Sequence, residues 1–88
     1  MDVIFLRSFI QDFKTISDPA VRRHVERAVK QLQGATSLRE LRQLKKLEGF
    51  SNASRIRIGD HRIGFFLHGS VIELARIADR KTLYKLFP

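Results

Sequence analysis

Five side chains in the second half of this 88-residue sequence could do chemistry together: Arg55, Arg57, Arg62, Arg80 and Tyr84. Arg55 and Arg57 alternate with Ile56 and Ile58, so an extended segment here aims cations at one face and isoleucines at the other. Gly59-Asp60-His61 reads as a turn, and Arg62 follows it at the head of the apolar run Ile63 to Leu67, broken only by Gly64. Guanidinium groups stay charged and grip phosphate oxygens bidentately. Such a cluster could therefore stabilise the charge that develops on a phosphoryl group being cleaved. Tyr84, the only tyrosine, could stack on a base or take part in proton transfer. Each residue also has a plainer reading. Charges on the outer side of a half-buried strand are ordinary, and a lone aromatic late in a chain is as readily core as site.

Other chemistries find less support. His24, His61 and His68 have no paired spacing and no matching carboxylates for a metal. No glycine-rich loop opens a helix in the nucleotide-binding manner, and no Gly-x-Ser-x-Gly elbow occurs. The chain has no cysteine, which removes thiolate metal sites, thiol nucleophiles and disulfides, and fits a reducing cytosol. No metal or cofactor is expected.

The elements that must position these side chains can be read in order. Val3-Ile4-Phe5 suits a short first strand. From Arg7 the period changes, with Leu6, Phe9, Ile10, Phe13 and Ile16 on one face of a helix. Ser17-Asp18-Pro19 offers a capping side chain and a proline for the first turn of a second helix. That helix carries Val21, Val25, Ala28, Val29 and Leu32 on one side and Arg22, Arg23, Glu26, Arg27 and Lys30 on the other. Gly34 is expected just past its end. Leu38, Leu41, Leu44 and Leu47 are spaced by three and suit a helical turn or an irregular segment along the core. Residues 50–54 read as a loop into the arginine strand. After the hairpin, His68-Gly69-Ser70 makes a second turn, Val71 to Ile77 returns as a strand, and residues 82–88 form a short tail or one helical turn. The expected architecture is α+β: an N-terminal strand and a helical hairpin packed on a small, mainly antiparallel sheet with a three-strand meander. The length leaves room for a single domain over 1–88. The opening apolar stretch is too short for a signal peptide or membrane span, so a cytoplasmic protein with no membrane partner is expected.

Net charge is +8 and unevenly placed. Residues 1–38 carry six Lys/Arg against four Asp/Glu, and residues 39–88 carry eleven against five. The basic excess thus sits in the same half as the arginine hairpin. A small basic domain favours a polyanionic partner through counterion release and steering, and an acidic protein fits the charge equally well.

Three stretches together carry a resemblance to a known family. They are Lys46-Leu47-Glu48-Gly49, the hairpin Arg55 to Gly64, and the ending Arg80-Lys81-Thr82-Leu83-Tyr84-Lys85-Leu86-Phe87-Pro88. The sequence resembles the RelE/ParE superfamily of bacterial toxins, and within it the RelE-like branch. There a basic-apolar-basic-apolar-Gly-Asp-Tyr-Arg hairpin and an Arg-Lys-x-Ile-Tyr tail are typical. The similarity covers nearly the whole chain in size, element order and charge.

The resemblance implies the toxin of a type II toxin–antitoxin system. RelE-like members bind the ribosomal A site and cut the messenger there without metal, through attack of a 2′-hydroxyl on the adjacent phosphate. By position, Arg55 and Arg57 match the basic pair that contacts phosphate and assists proton transfer. Arg62 matches the arginine that stabilises the transition state, and Arg80 the one that supports the leaving oxygen. Tyr84 matches the tyrosine that stacks on the nucleotide being cut. Lys45, Lys46, Lys81, Lys85 and His61 are the expected further RNA contacts. Implied partners are the ribosome and its mRNA and a cognate antitoxin with an acidic or amphipathic segment. Operator DNA is reached only indirectly, through the antitoxin complex.

Two positions depart from the family pattern. Asp79 stands where many relatives place histidine, and it adds negative charge beside the arginines unless it turns away or serves as a base. His61 stands where tyrosine is common, and facing the site it would supply a titratable group there. The shared superfamily fold leaves two alternatives open: a ParE-like toxin that poisons DNA gyrase without nuclease chemistry, and an inactive module that binds RNA or antitoxin.

Overall fold

A computed structural model describes residues 1–41 and 43–88 of the chain. The elements in order are β1 (Asp2–Phe5), α1 (Arg7–Thr15), α2 (Pro19–Gly34), a 3-10 turn (Leu38–Glu40), β2 (Leu44–Lys46), β3 (Ala53–Ile58), β4 (His61–His68), β5 (Val71–Asp79) and α3 (Arg80–Leu86). The strands form one sheet in the order β1-β5-β4-β3-β2. β1 runs parallel to β5, and every other pairing is antiparallel. The expected α+β class and mainly antiparallel sheet are therefore present.

Period-two alternation gives the sheet two apolar faces. One carries Ile56, Ile63, Phe65, Ile72, Leu74 and Ile77, and α1 and α2 cover it with Phe9, Val25, Ala28, Val29 and Leu32. The other carries Ala53 and Ala75 beneath Leu83 and Phe87 at the C-terminal end. Full burial of each large aliphatic or phenyl group contributes about 1.5–3 kcal/mol, so the first cluster carries most of the stability. The second does something else: it fixes α3 to the sheet. No helix among the described residues is long and apolar enough to cross a membrane.

The start of α2 follows its sequence signal. Asp18 is the N-cap, its Oδ1 accepting from the Ala20 amide at 2.9 Å, with Pro19 in the first turn. Asp18→Ala is expected to lower stability by about 1 kcal/mol, read as a shifted urea midpoint at unchanged slope. The end of α2 differs from expectation. Gly34 is the last helical residue, and the cap is Ala35 in an extended conformation (φ −75°, ψ 140°). No left-handed glycine is needed there.

Three further readings are corrected. The leucines at spacing three form a 3-10 turn and then the short edge strand β2, so the meander has four strands rather than three. β3 begins at Ala53, inside the segment read as a loop, because Lys46 and Leu44 pair with Ser54 and Ile56. The hairpin turn is only Gly59-Asp60, and His61 already belongs to β4. Gly59 has φ +63° while Asp60 keeps a negative φ, the pattern of a two-residue turn whose first central position demands glycine.

Candidate active site: a cationic sheet face

The side chains of β3 alternate between the two sheet faces. Ile56 enters the core under α1 and α2 while Ala53 lies under α3, so Arg55 and Arg57 fall on the α3 side. On the neighbouring strands the register sets like charges directly opposite one another. Lys45 pairs with Arg55, and Arg57 pairs with Arg62. Like-charge pairs across strands oppose folding, by about 0.2–1 kcal/mol each. Two such pairs side by side make one face strongly cationic, a surface that attracts anions.

Arg62 is 8% exposed, the most enclosed member of the set. Its Nη1 donates to the carbonyls of Gly59 (2.9 Å) and His61 (3.0 Å), so it braces the turn that it follows. Its Nε is the one buried side-chain polar atom without a partner among the described residues. Burial lowers the pKa of this guanidinium, and the charges of Arg57, Arg55 and Arg80 lower it further. A guanidinium keeps its charge in a protein, so the shift registers burial first and the three neighbouring cations second, without loss of charge.

The remaining two members come from α3, whose Leu83 is buried against the sheet. Arg80 and Tyr84 are four residues apart and share a face of that helix. Arg80 donates from Nε to the Tyr84 hydroxyl at 3.4 Å, and its guanidinium lies 5.9 Å from the ring centroid. Tyr84 is 56% exposed, so its ring is free to stack. The hydrogen bond from Arg80 and its charge, then Arg55 and Lys45, hold the phenol below its usual pKa. That places Tyr84 beside the strand cations as well as its helical neighbour. Replacing Arg80 by alanine is expected to return the phenol toward its ordinary value. Absorbance titration reads this directly, since the chain has one tyrosine and no tryptophan.

Asp79 does not add charge to this face. It is the N-cap of α3, its Oδ1 accepting from the Thr82 amide (2.8 Å) and its Oδ2 from the Thr82 hydroxyl (3.1 Å). Those bonds lower its pKa, so it stays ionised at neutral pH and is a weak base. Its role is to start the helix that carries Arg80 and Tyr84. The Asp79-x-x-Thr82 spacing was a legible cap signal.

The other expected contacts divide. Lys45 joins the cationic face. Lys46, one residue on, pairs with Ser54 and points to the opposite face. His61 pairs with Ile58, which packs on the α1–α2 core, and it lines a groove with Asp12, Asp18 and Asp79. The structure does not bring His61 to the arginines. Lys81 and Lys85 are exposed on α3, displaced around the helix from Arg80 and Tyr84.

A feature missed in the sequence seats α3. A Cβ at Gly64 would lie 2.5 Å from Phe87 Cδ2, so the Phe87 ring rests directly on the glycine backbone. Phe66 flanks that ring at 5.0 Å between centroids. At the edge of β5, beyond its pairing with β1, Asp12 accepts from Arg76 Nε (2.8 Å), Arg76 Nη2 (3.0 Å) and the Ile77 amide (3.0 Å). This clamp ties α1 to β5 beside the bulge where the β4–β5 register shifts at Gly64/Phe65.

No family model matches the chain. Toxin RelE3 of Methanocaldococcus jannaschii is 34% identical over 89 residues, covering 100% of this chain and 100% of that protein. A crystal structure of a RelB–RelE antitoxin–toxin complex from Methanococcus jannaschii contains a chain of similar fold. It is 30% identical at TM-score 0.81, over 97% of this chain and 99% of that one. YafQ from E. coli aligns at TM-score 0.76 over 94% and 97% of the two chains, and at 13% identity that likeness concerns the fold alone.

Proposed function

The chain belongs to the RelE family of toxins of type II toxin–antitoxin systems, and from that premise we propose that it is an endoribonuclease that cuts messenger RNA on the ribosome. The observation that carries the proposal is the pair of like-charge cross-strand contacts, Lys45–Arg55 and Arg57–Arg62, faced by Arg80 and Tyr84 from α3. In the reaction, a ribose 2′-hydroxyl gives up its proton and its oxygen attacks the adjacent phosphorus. The bond to the 5′-oxygen breaks, that oxygen takes a proton, and the products are a 2′,3′-cyclic phosphate and a 5′-hydroxyl. Negative charge grows on the phosphoryl oxygens along this path, and preorganised guanidinium groups stabilise it without reorganising. Arg55 and Arg57 grip the phosphate, Arg62 is held close by the turn to stabilise the transition state, and Arg80 faces the leaving oxygen. Tyr84 stacks on the displaced base, its phenol being poised by Arg80 for a proton-transfer role.

The partners in this reading are the translating ribosome with its mRNA and a cognate antitoxin, with operator DNA reached only through the antitoxin complex. An acidic segment that folds on binding suits a chain of net charge +8. The test is induced expression followed by primer extension on an abundant messenger, with wild type beside Arg57→Ala. Cuts inside translated regions that vanish in the variant are expected. Growth arrest without such cuts, accompanied by a DNA-damage response, would replace this reading with gyrase poisoning. Salt-dependent RNA binding with neither effect would leave an inactive binding module.

A further inference from the structure

Where the C-terminal half of α2 faces the outer edge of the sheet, the chain forms a cavity of about 560 Å³. Its floor is apolar and buried, made by Ala28, Ala35 and Ile56, and Gln31, Glu40 and Gln43 line it with polar groups. An apolar floor with a few polar groups is the usual make-up of a small-ligand pocket. Glu40 is held in place, its Oε1 accepting from the Thr36 hydroxyl (2.5 Å) and the Thr36 amide (3.2 Å). These bonds, with a smaller pull from the Ser37 amide, keep its carboxyl below the usual pKa, so at neutral pH it is ionised and only accepts. Both Thr36 bonds fall on Oε1, which leaves Oε2 to a ligand. No cation among the described residues pairs with this carboxylate, in a chain of net charge +8. The cavity also borders the cationic face. β2 covers β3 from Ser54 to Ile56, and the Arg57 amide donates to the Gln43 carbonyl at 3.0 Å. Past that bond β3 has no outer neighbour strand among the described residues. Arg57 thus belongs to the arginine face and lines the cavity as well.

We propose that this cavity is a base-reading pocket that receives a guanine of the bound RNA; that RNA is the ligand rests on the nuclease reading above. Chemistry selects the base. An ionised carboxylate must be met by donors. Guanine alone among the four RNA bases sets two donors, N1–H and the N2 amino group, side by side on its pairing edge. Adenine and cytosine place a ring-nitrogen acceptor beside their one amino group, and uracil flanks its one N–H with two carbonyls. Each of these turns an acceptor toward Glu40. The O6 and N7 acceptors of guanine suit the amide donors of Gln31 and Gln43, and its ring faces meet the apolar floor. RNA is read in sequence through bases splayed out of the stack. A phosphate held at Arg57 leaves its base free to turn over the uncovered edge of β3 and into the pocket. An apolar peptide side chain would instead bury Glu40 without a partner. The guanine comes from the messenger beside the cut or from ribosomal RNA, and the two sources are separable by experiment.

The first probe is guanosine, beside adenosine and inosine, the latter lacking only the N2 amino group of guanosine. None carries a phosphate to draw it to the arginines. Binding to the isotope-labelled chain is followed by NMR at the side-chain amides of Gln31 and Gln43 and the backbone amide of Ala35. Guanosine is expected to bind at least about tenfold more tightly than inosine or adenosine, the effect of one hydrogen bond to a charged group. Glu40→Gln, whose amide oxygen still accepts from Thr36, is expected to fold with the wild-type urea midpoint and to lose that preference. Equal binding of the three nucleosides, no shifts at these amides, or a preference that survives in Glu40→Gln would each overturn the proposal. The second probe is a messenger paused on the ribosome with guanosine or inosine beside the cut. If the messenger supplies the base, wild type cleaves the guanosine messenger about tenfold faster and Glu40→Gln cleaves the two alike. Equal cleavage by wild type, with the nucleoside preference intact, would assign the guanine to ribosomal RNA. Failure of wild type to cleave either messenger would count against the nuclease reading, while the nucleoside measurements would still decide the pocket.

Discussion

Replacing Arg57 by alanine is expected to slow messenger cleavage by about 10²–10³-fold, the loss typical of one preorganised charge-stabilising donor. Stability should hold or rise slightly. Arg57 is exposed, and its removal relieves the repulsion with Arg62 directly opposite. Single-turnover cleavage on programmed ribosomes and a urea midpoint on the same preparation check both halves. Arg57→Lys keeps the charge but loses the planar fork, so it should recover only part of the rate. Unimpaired cleavage by Arg57→Ala, or a falling midpoint, would contradict the assignment. Arg62→Ala is a poorer discriminator. It removes a donor from the face, but it also strips the Gly59 and His61 carbonyls of their partner and opens a space under the hairpin. Lost activity there mixes chemistry with folding.

Gly64→Ala is expected to abolish most activity while touching no cationic side chain. The added methyl would sit 2.5 Å and 2.6 Å from Phe87 Cδ2 and Cγ, well inside contact distance. The Phe87 ring packs against Phe66 in the cluster that includes Leu83, so it has little room to slide. The relief open to it is to lift α3, which takes Arg80 and Tyr84 away from the strand cations. Overpacking of this kind costs about 1–3 kcal/mol, a measurable fall in the urea midpoint without unfolding. The Tyr84 phenol supplies a second readout. The part of its lowered pKa due to Arg55 and Lys45 should be lost, while the part due to Arg80 on the same helix should remain. A variant with normal cleavage and an unchanged phenol would show that Phe87 does not position α3.

Much of this arrangement was written into the sequence, and the misses have physical reasons. The alternation of Arg55, Ile56, Arg57 and Ile58 declared both the strand and its two faces, because period two leaves no other reading once the isoleucines are buried. Asp18-Pro19 declared the start of α2. β2 was hidden because three residues with leucines at spacing three carry no strand signal of their own. It exists because β3 offers it an edge, and only that pairing places Lys45 opposite Arg55. Asp79 looked like a misplaced charge until its cap partner, Thr82, was seen to hold it. His61 and Lys46 are expected at the site from the family resemblance, yet each sits one residue from a site member on a strand and so faces the other way. The Gly64–Phe87 seat joins residues twenty-three positions apart, and no local pattern reveals it.

The most direct measurement is incubation of the purified chain with ribosomes paused on a short end-labelled messenger, in buffer containing excess chelator for free transition metals. Cleavage within the A-site codon is expected, with a fragment whose 3′ end resists ligation until its cyclic phosphate is removed. Wild type should produce it, and Arg57→Ala should not do so on the same timescale. An intact messenger with wild type, or equal cleavage of the same RNA free of ribosomes, would contradict a ribosome-dependent nuclease built on this face.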